Sequence, residues 1–350
     1  MQTPADLFSQ QQANRSRSHW LIAGFVLFFA WLGFGGDLIL LEMGRAEATN
    51  LQWEFPIFGV VLTSYAAITA FWAWRAGSQA ILGSTGSKEL KEPVTEQERL
   101  LVNVVEEMAI AAGVTRPSIW ITPDDDPNAF ATGRDERTAA IAVTRGLLTT
   151  CTRDELQGVI GHELAHIKNY DARLMTLLAA MVGAITVASD YAHRILFRSG
   201  GRAIGAVVPR GKKRGGGPLL IILLVLWILS WLLAPLISRM LALGVSRKRE
   251  FLADAMSAQF TRNPMALASA LEKIERSHAP TRSISRGAAH LCIADPLGRR
   301  VNLREGRLAD LWGTHPPMTM RVSRLRAMAF REQKRALREL GTPPATAVVG

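Results

Sequence analysis

Two cysteines in 350 residues, Cys151 and Cys292, are too few for a disulfide framework, and neither stands in a pair spaced to hold a metal. Both read as buried thiols. Cys151 lacks a base of its own and is not expected to act as a nucleophile. Charge is missing from four hydrophobic stretches, Trp20 to Gly36, Phe55 to Trp74, Leu174 to Ser189 and Gly215 to Ser238. A transporter carries ionisable groups inside its spans, so their absence argues against that class. The net charge of +11 comes without any nucleic-acid-binding motif, and no nucleic acid is expected as a partner. The first stretch follows Arg15 and Arg17 but lacks a small-x-small cleavage site. It is therefore read as a retained helix, not a cleaved signal peptide.

What is there centres on Gly161-His162-Glu163-Leu164-Ala165-His166. Two imidazoles four residues apart share one face of a helix, where they can hold a zinc ion, and the carboxylate of Glu163 is placed to handle the proton of an activated water. The bland alternative is a charged helix face with satisfied histidines. Context favours the site. Thr152 and Glu155 form a capping box, and Leu156, Val159, Ile160, Leu164 and Ile167 recur at helical spacing. Gly158 and Gly161 in the same helix leave room for another backbone to approach closely.

A hydrolytic zinc site uses three protein ligands and keeps one position open. Glu250 and Asp254, four apart in Ser246-Arg247-Lys248-Arg249-Glu250-Phe251-Leu252-Ala253-Asp254, offer a third ligand and an acceptor for the other ring N–H of a ligand histidine. The alternative is an exposed acidic pair, although like charges at that spacing are mildly destabilising.

With these blocks in view, the chain resembles the HtpX-type membrane zinc metalloproteases, relatives of the CAAX prenyl endoproteases. The likeness rests on Asn128-Ala129-Phe130-Ala131-Thr132-Gly133, the His162 to Asp171 block, the Ser246 to Asp254 block and Thr314-His315-Pro316-Pro317, in that order, with the hydrophobic segments between them. It implies one zinc ion on His162, His166 and Glu250, with Glu163 catalytic. It also implies that His315 steadies the oxyanion of the scissile peptide, and that Asn128, Ala129 and Phe130 belong to an edge strand on which an extended polypeptide pairs by its backbone. Met318, Thr319 and Met320 depart from the acidic residues that often follow the His-Pro-Pro block in the family, which leaves the packing of that loop open. Ser118 to Thr122 and Ala139 to Thr144 read as short strands.

The expected fold is mainly α and membrane-embedded. About four transmembrane helices accompany a zincin-like (gluzincin) α+β catalytic domain with a small β-sheet. Residues 1–19 are expected to be a cytoplasmic tail, 20–75 two spans joined by a short external loop, 76–173 a first catalytic part, 174–238 a hydrophobic hairpin with a basic loop, 239–340 a second catalytic part and 341–350 a disordered tail. Leu174 to Ser189 falls just short of the usual span length of about 17–25 residues, so a core helix stays open there. Arg15 and Arg17 before the first stretch, and Asp37, Glu42, Glu47 and Glu54 after it, place the N-terminus in the cytoplasm by the positive-inside rule. His162 and Glu250 must then share the cytoplasmic side of the cell's inner (plasma) membrane.

That requirement allows two crossings between the histidines and Glu250, or none. The resemblance implies two. The intervening loop, with Arg194, Arg198, Arg202, Arg210, Lys212, Lys213 and Arg214 against Asp190, conflicts with an external location. No breaker stands between Asp154 and Arg173, so the motif helix is expected to run on into the third stretch and hold the zinc near the bilayer. Capping boxes and prolines further predict a helix after Thr95 ending at Gly113, and another from Asn263-Pro264 to about Arg276. A basic amphipathic helix is expected over Arg321 to Arg338. It either packs on the catalytic domain or meets anionic headgroups. The expected activity is hydrolysis of misfolded or membrane-associated proteins, in quality control or stress response. The competing reading is a membrane scaffold or chaperone-like binder with a structural zinc.

Overall fold

A computed structural model describes residues 4–47, 55–198, 218–243, 247–277, 281, 283–284, 291–294 and 316–339. These residues form two compact units, each discontinuous in sequence. One comprises Met1–Asn14, Ser78–Thr176 and Val245–Gly350, the other Arg15–Gly77 and Leu177–Gly244.

The second unit is built from helices α1 (Pro4–Glu47), α2 (Ile57–Ser84), α6 (Asp171–Arg198) and α7 (Pro218–Leu243), the first three of which continue into the other unit. Phe25 and Phe29 of α1, Ala66, Ala70 and Ala73 of α2, and Leu177, Met181 and Ile185 of α6 form its interior. The outward faces carry Trp20, Leu27, Phe71, Trp72, Ile221 and Leu232, all exposed. So large an apolar surface is what a bilayer solvates. Close helix contact depends on two glycines: a Cβ on Gly33 would stand 2.5 Å from the Phe58 carbonyl oxygen, and one on Gly59 would meet the Phe34 ring at 2.2 Å.

Three described helices are long and apolar enough to cross a membrane, over Ser9–Glu42, Ile57–Ser84 and Asp171–Ala188. The third is the stretch that the sequence left between span and core helix. The fourth expected span forms α7, whose described apolar stretch is the shorter Ile221–Leu233. The first span differs from expectation. Asp37, read as the start of an external loop, lies within α1, which continues to Glu47. Its buried carboxylate accepts from the backbone N–H groups of Gly59 (2.6 Å) and Phe58 (3.2 Å), so it caps the first turn of α2. Most of the basic loop lies outside the described residues, as do the tail from 340 onward and the 48–54 loop.

The first unit holds a four-stranded sheet of order β1-β2-β4-β3, with β1 Lys88–Glu89, β2 Ser118–Thr122, β3 Ala129–Thr132 and β4 Ala140–Thr144. β2 pairs parallel to β4. β3 pairs antiparallel to β4, with Phe130 opposite Ala142, and forms the end of the sheet. Around the sheet lie α3 (Glu96–Ala112), α4 (Arg145–Thr150), α5 (Arg153–Lys168), α8 (Arg247–Thr261), α9 (Pro264–Arg276) and α10 (Met318–Glu339). The core joins Leu101, Val104 and Met108 of α3 to Val159, Ile160 and Leu164 of α5 and to Leu267, Leu271 and Ile274 of α9. Both predicted capping boxes form, Thr95 with Glu98 and Thr152 with Glu155, and Gly113 ends α3 at φ 66°. Gly158 serves the close approach its position implied, since a Cβ there would stand 2.8 Å from the backbone nitrogen of Leu267.

The motif helix does not run on into the third stretch. α5 ends at Lys168, Tyr170 takes a left-handed backbone with φ 58°, and α6 starts afresh at Asp171. No proline or glycine announces the break, which is why periodicity missed it. Tertiary contacts hold it: the side-chain amide of Asn14 donates to the Asn169 carbonyl (2.9 Å) and to the Asp171 carboxylate (2.7 Å).

Candidate metal centre

Helix α5 presents His162 and His166 on one face, as their spacing requires, and α8 brings Glu250 opposite them. The three residues each offer a ligand atom within 4.8 Å of the others. His162 Nε2 and His166 Nε2 stand 3.1 Å apart, and Glu250 oxygens lie 3.7 Å from the first and 3.6 Å from the second. Bond lengths of about 2.0–2.2 Å in a tetrahedral zinc shell put ligand atoms about 3.3–3.6 Å from one another. The donor set, two imidazole nitrogens and one carboxylate, therefore fits a zinc-sized divalent ion, and three donors leave one position open.

Each imidazole is held by a carboxylate at its other nitrogen. His162 Nδ1 lies 3.0 Å from Asp254 Oδ1, and His166 Nδ1 lies 3.2 Å from Asp171 Oδ2. That arrangement keeps the proton on Nδ1 and points the Nε2 lone pairs at the shared centre. Each carboxylate is in turn backed by an arginine. Arg321 donates to both oxygens of Asp254 at 2.9 and 2.7 Å, and Arg249 Nη1 donates to Asp171 Oδ1 at 3.3 Å. Arg321 is wholly buried, a position a guanidinium holds only when paired.

Burial alone would push the His162 imidazole down, but Asp254 and Glu250 outweigh it and bring the metal-free ring to about 9. Burial also disfavours the Asp254 carboxylate, yet Arg321 and His162 hold it below its ordinary range. Glu163 is pushed up, first by burial. Both of its oxygens are buried without a hydrogen-bond donor among the described residues. With His166, Asp171, Met175, Arg249, Glu250, Ala131 and Leu291, it lines one small cavity. A buried carboxylate with open lone pairs beside a metal-ligand set is equipped to take a proton from a molecule that enters the cavity.

Asp254 stands where the sequence reading put it. Asp171, Arg249 and Arg321 were not assigned roles; only the position of Asp171, five residues after His166, hinted at one. His315 lies outside the described residues. Asn128, Ala129 and Phe130 do lie at the edge of the sheet, but all three are fully buried and residues 291–294 lie against them. Cys292 is buried, as expected, and burial pushes the half-buried Cys151 thiol up to about 12, so it is inert at neutral pH.

Residues 95–329 match the profile of Peptidase family M48. The chain is similar to the "Protease HtpX homolog" of Streptococcus gordonii, 36% identical over 327 residues that cover 92% of this chain and 100% of the relative. It is likewise similar to those of Dictyoglomus thermophilum (36%, covering 94% and 97%) and Thermoanaerobacter pseudethanolicus (38%, covering 84% and 92%). Among solved structures, "Crystal Structure of S. mikatae Ste24p" aligns with a TM-score of 0.44 at 16% identity, over 92% of this chain and 67% of that one.

Proposed function

The chain belongs to peptidase family M48, and on that premise we propose that it is a zinc-dependent endopeptidase that hydrolyses misfolded or membrane-associated proteins. It is a membrane protease of the HtpX type, with three described helices long and apolar enough to span. Zinc, the endopeptidase mode and the substrate class are the proposal. The observation that carries it is the set His162, His166 and Glu250 beside the unpartnered carboxylate of Glu163.

His162, His166 and Glu250 would hold the ion, and Asp254 and Asp171 would fix the two rings. Zinc held there would supply Lewis acidity, which lowers the pKa of water toward about 7. Glu163 takes a proton from the attacking water as its oxygen bonds to the peptide carbon, and passes that proton to the leaving nitrogen as the C–N bond breaks. Its burial supports this role, because desolvation raises the proton affinity of the carboxylate and so makes it a stronger base than an exposed one. His315 is the proposed donor to the substrate oxyanion. A purely structural zinc would close all four positions with protein ligands, and three donors beside a free base favour catalysis.

Only four residues separate His166 from the candidate span Asp171–Ala188, which favours substrates in or at the bilayer. The basic N-terminal residues support a cytoplasmic site in the inner membrane. The test is cleavage of a misfolded model membrane protein by detergent-purified enzyme beside Glu163→Gln at equal zinc content. Cleavage by the parent alone is expected. Equal cleavage by both would remove Glu163 from the mechanism.

A further inference from the structure

The free edge of β3 already has an occupant. Cys292 pairs antiparallel with Phe130, and the backbone N–H of Ile293 donates to the carbonyl of Ala129 at 2.9 Å. The Asn128 side chain clasps Ala294 from both sides, its amide donating to the Ala294 carbonyl (2.9 Å) and its oxygen accepting from the Ala294 N–H (3.4 Å). Arg321 Nη1 donates to the Ile293 carbonyl at 2.8 Å, so the guanidinium that backs Asp254 also grips this segment. Leu291, the residue before the paired cysteine, lines the cavity that holds Glu163, His166 and Glu250. Upstream, the Thr281 hydroxyl donates to Asp126 and the Ser283 N–H donates to Asp124 at 2.7 Å, both in the turn that leads into β3.

We propose that Leu291-Cys292-Ile293-Ala294 is an internal strand that occupies the place of an extended apolar substrate on β3, and that substrate enters by displacing it. This rests on the peptidase reading above. A sheet edge offers one row of backbone donors and acceptors, so two strands cannot pair with the same stretch of Ala129 and Phe130 at once. Among the described residues one bridge and a few hydrogen bonds hold the occupant, and Cys292, Ile293 and Ala294 are buried, so an entering substrate must replace their packing as well as their backbone pairing. The sequence of the occupant describes the guest it excludes: extended, uncharged and apolar, suited to Ala131, Ala172 and Met175, which line the cavity beside the charged groups of the candidate site. Such segments are exposed in unfolded chains and hidden in folded ones, so displacement selects for misfolded substrates.

The thiol of Cys292 makes the strand observable. With Cys151→Ser removing the other thiol and Glu163→Gln preventing turnover, Cys292 in the full chain is buried and its alkylation should be slow. A synthetic peptide with the sequence of residues 288–296, serine replacing the cysteine, should bind and speed alkylation about tenfold or more, as expected if the open form is populated at about a tenth or less without peptide. Binding without faster alkylation, or no binding, would overturn the proposal.

A lock gives the complementary test. Phe130 and Cys292 are opposed as a non-hydrogen-bonded antiparallel pair, whose Cα separation of about 4.5 Å suits a disulfide. Phe130 lies on the proposed substrate strand and is fully buried, so the reduced Phe130→Cys, Cys151→Ser chain serves only as its own reference: whatever rate it keeps on an unfolded polypeptide should fall by at least about nine-tenths on oxidation and return on reduction. Equal rates in both states would overturn the proposal. If the parent enzyme cleaves nothing, the peptidase reading fails, and the alkylation result still decides whether the strand yields to a peptide.

Discussion

Asp254 lies between His162 and Arg321, accepting from the Nδ1 side of the imidazole at 3.0 Å and from two guanidinium nitrogens at 2.9 and 2.7 Å. Asp171 stands in the same relation to His166 and Arg249. The candidate metal centre is thus the innermost of three nested layers, candidate ligand, carboxylate and cation, each fixing the orientation of the one inside it. Removing a middle layer should loosen metal binding without removing a ligand. Asp254→Asn should weaken affinity about 10–100-fold, as does loss of comparable partners behind ligand histidines, measured by competition with a chelating dye. Unchanged affinity would mean that His162 needs no support.

Arg321 should matter for stability as much as for the site. Arg321→Met leaves the buried Asp254 carboxylate without its cation and should cost about 3–5 kcal/mol, read from thermal unfolding in detergent. Arg321→Met combined with Asp254→Leu should recover most of that loss, because the unpaired charge leaves with its partner. If the double variant were as unstable as the single, packing of the arginine stem would be the larger contribution.

Glu155 gives a pH dependence with a defined sign. Burial pushes its carboxyl up, but Lys273, Ser269 and the Thr152 N–H outweigh burial and hold it below the ordinary 4.5. A carboxyl lowered by folding stabilises the native state above the unfolded pKa and loses that contribution as pH falls through the folded pKa. Glu155→Gln should therefore lower stability by about 1–3 kcal/mol near pH 7. The difference from the parent should shrink as pH falls below the ordinary 4.5 and vanish below the lowered folded-state pKa. A difference that stayed constant through acid would assign the effect to shape alone.

Two glycines in helices should respond oppositely to alanine. At Gly158 the added Cβ would lie 2.8 and 2.9 Å from the Leu267 backbone nitrogen and Cα, neither of which can swing aside as a side chain does. Gly158→Ala should cost about 1–3 kcal/mol by forcing α9 away from α5. At Gly83 nothing lies within 4 Å of a Cβ, and Gly83→Ala should stabilise by up to about 1 kcal/mol through helix propensity. Thermal unfolding of both variants checks the contrast.

What the sequence determined by itself is what chain-local geometry controls. The spacing of His162 and His166 puts them on one helical face, Thr152 and Thr95 with their partners three residues on start helices, and Glu250 and Asp254 share a face of α8 for the same reason. Uncharged stretches marked the membrane helices because their length and composition suit a bilayer wherever the rest of the chain goes. Tertiary structure alone decided the rest. Arg321, read as one of many basic residues on an amphipathic helix, pairs with a carboxylate 67 residues away, and Asn14 holds the break after α5 from 155 residues away. The occupant of the β3 edge comes from 166 residues downstream of Asn128. Such pairings leave no period in the sequence: a buried cation, a left-handed Tyr170 and a strand laid on a sheet edge are each stabilised by what packs against them, and only the folded chain brings those partners together.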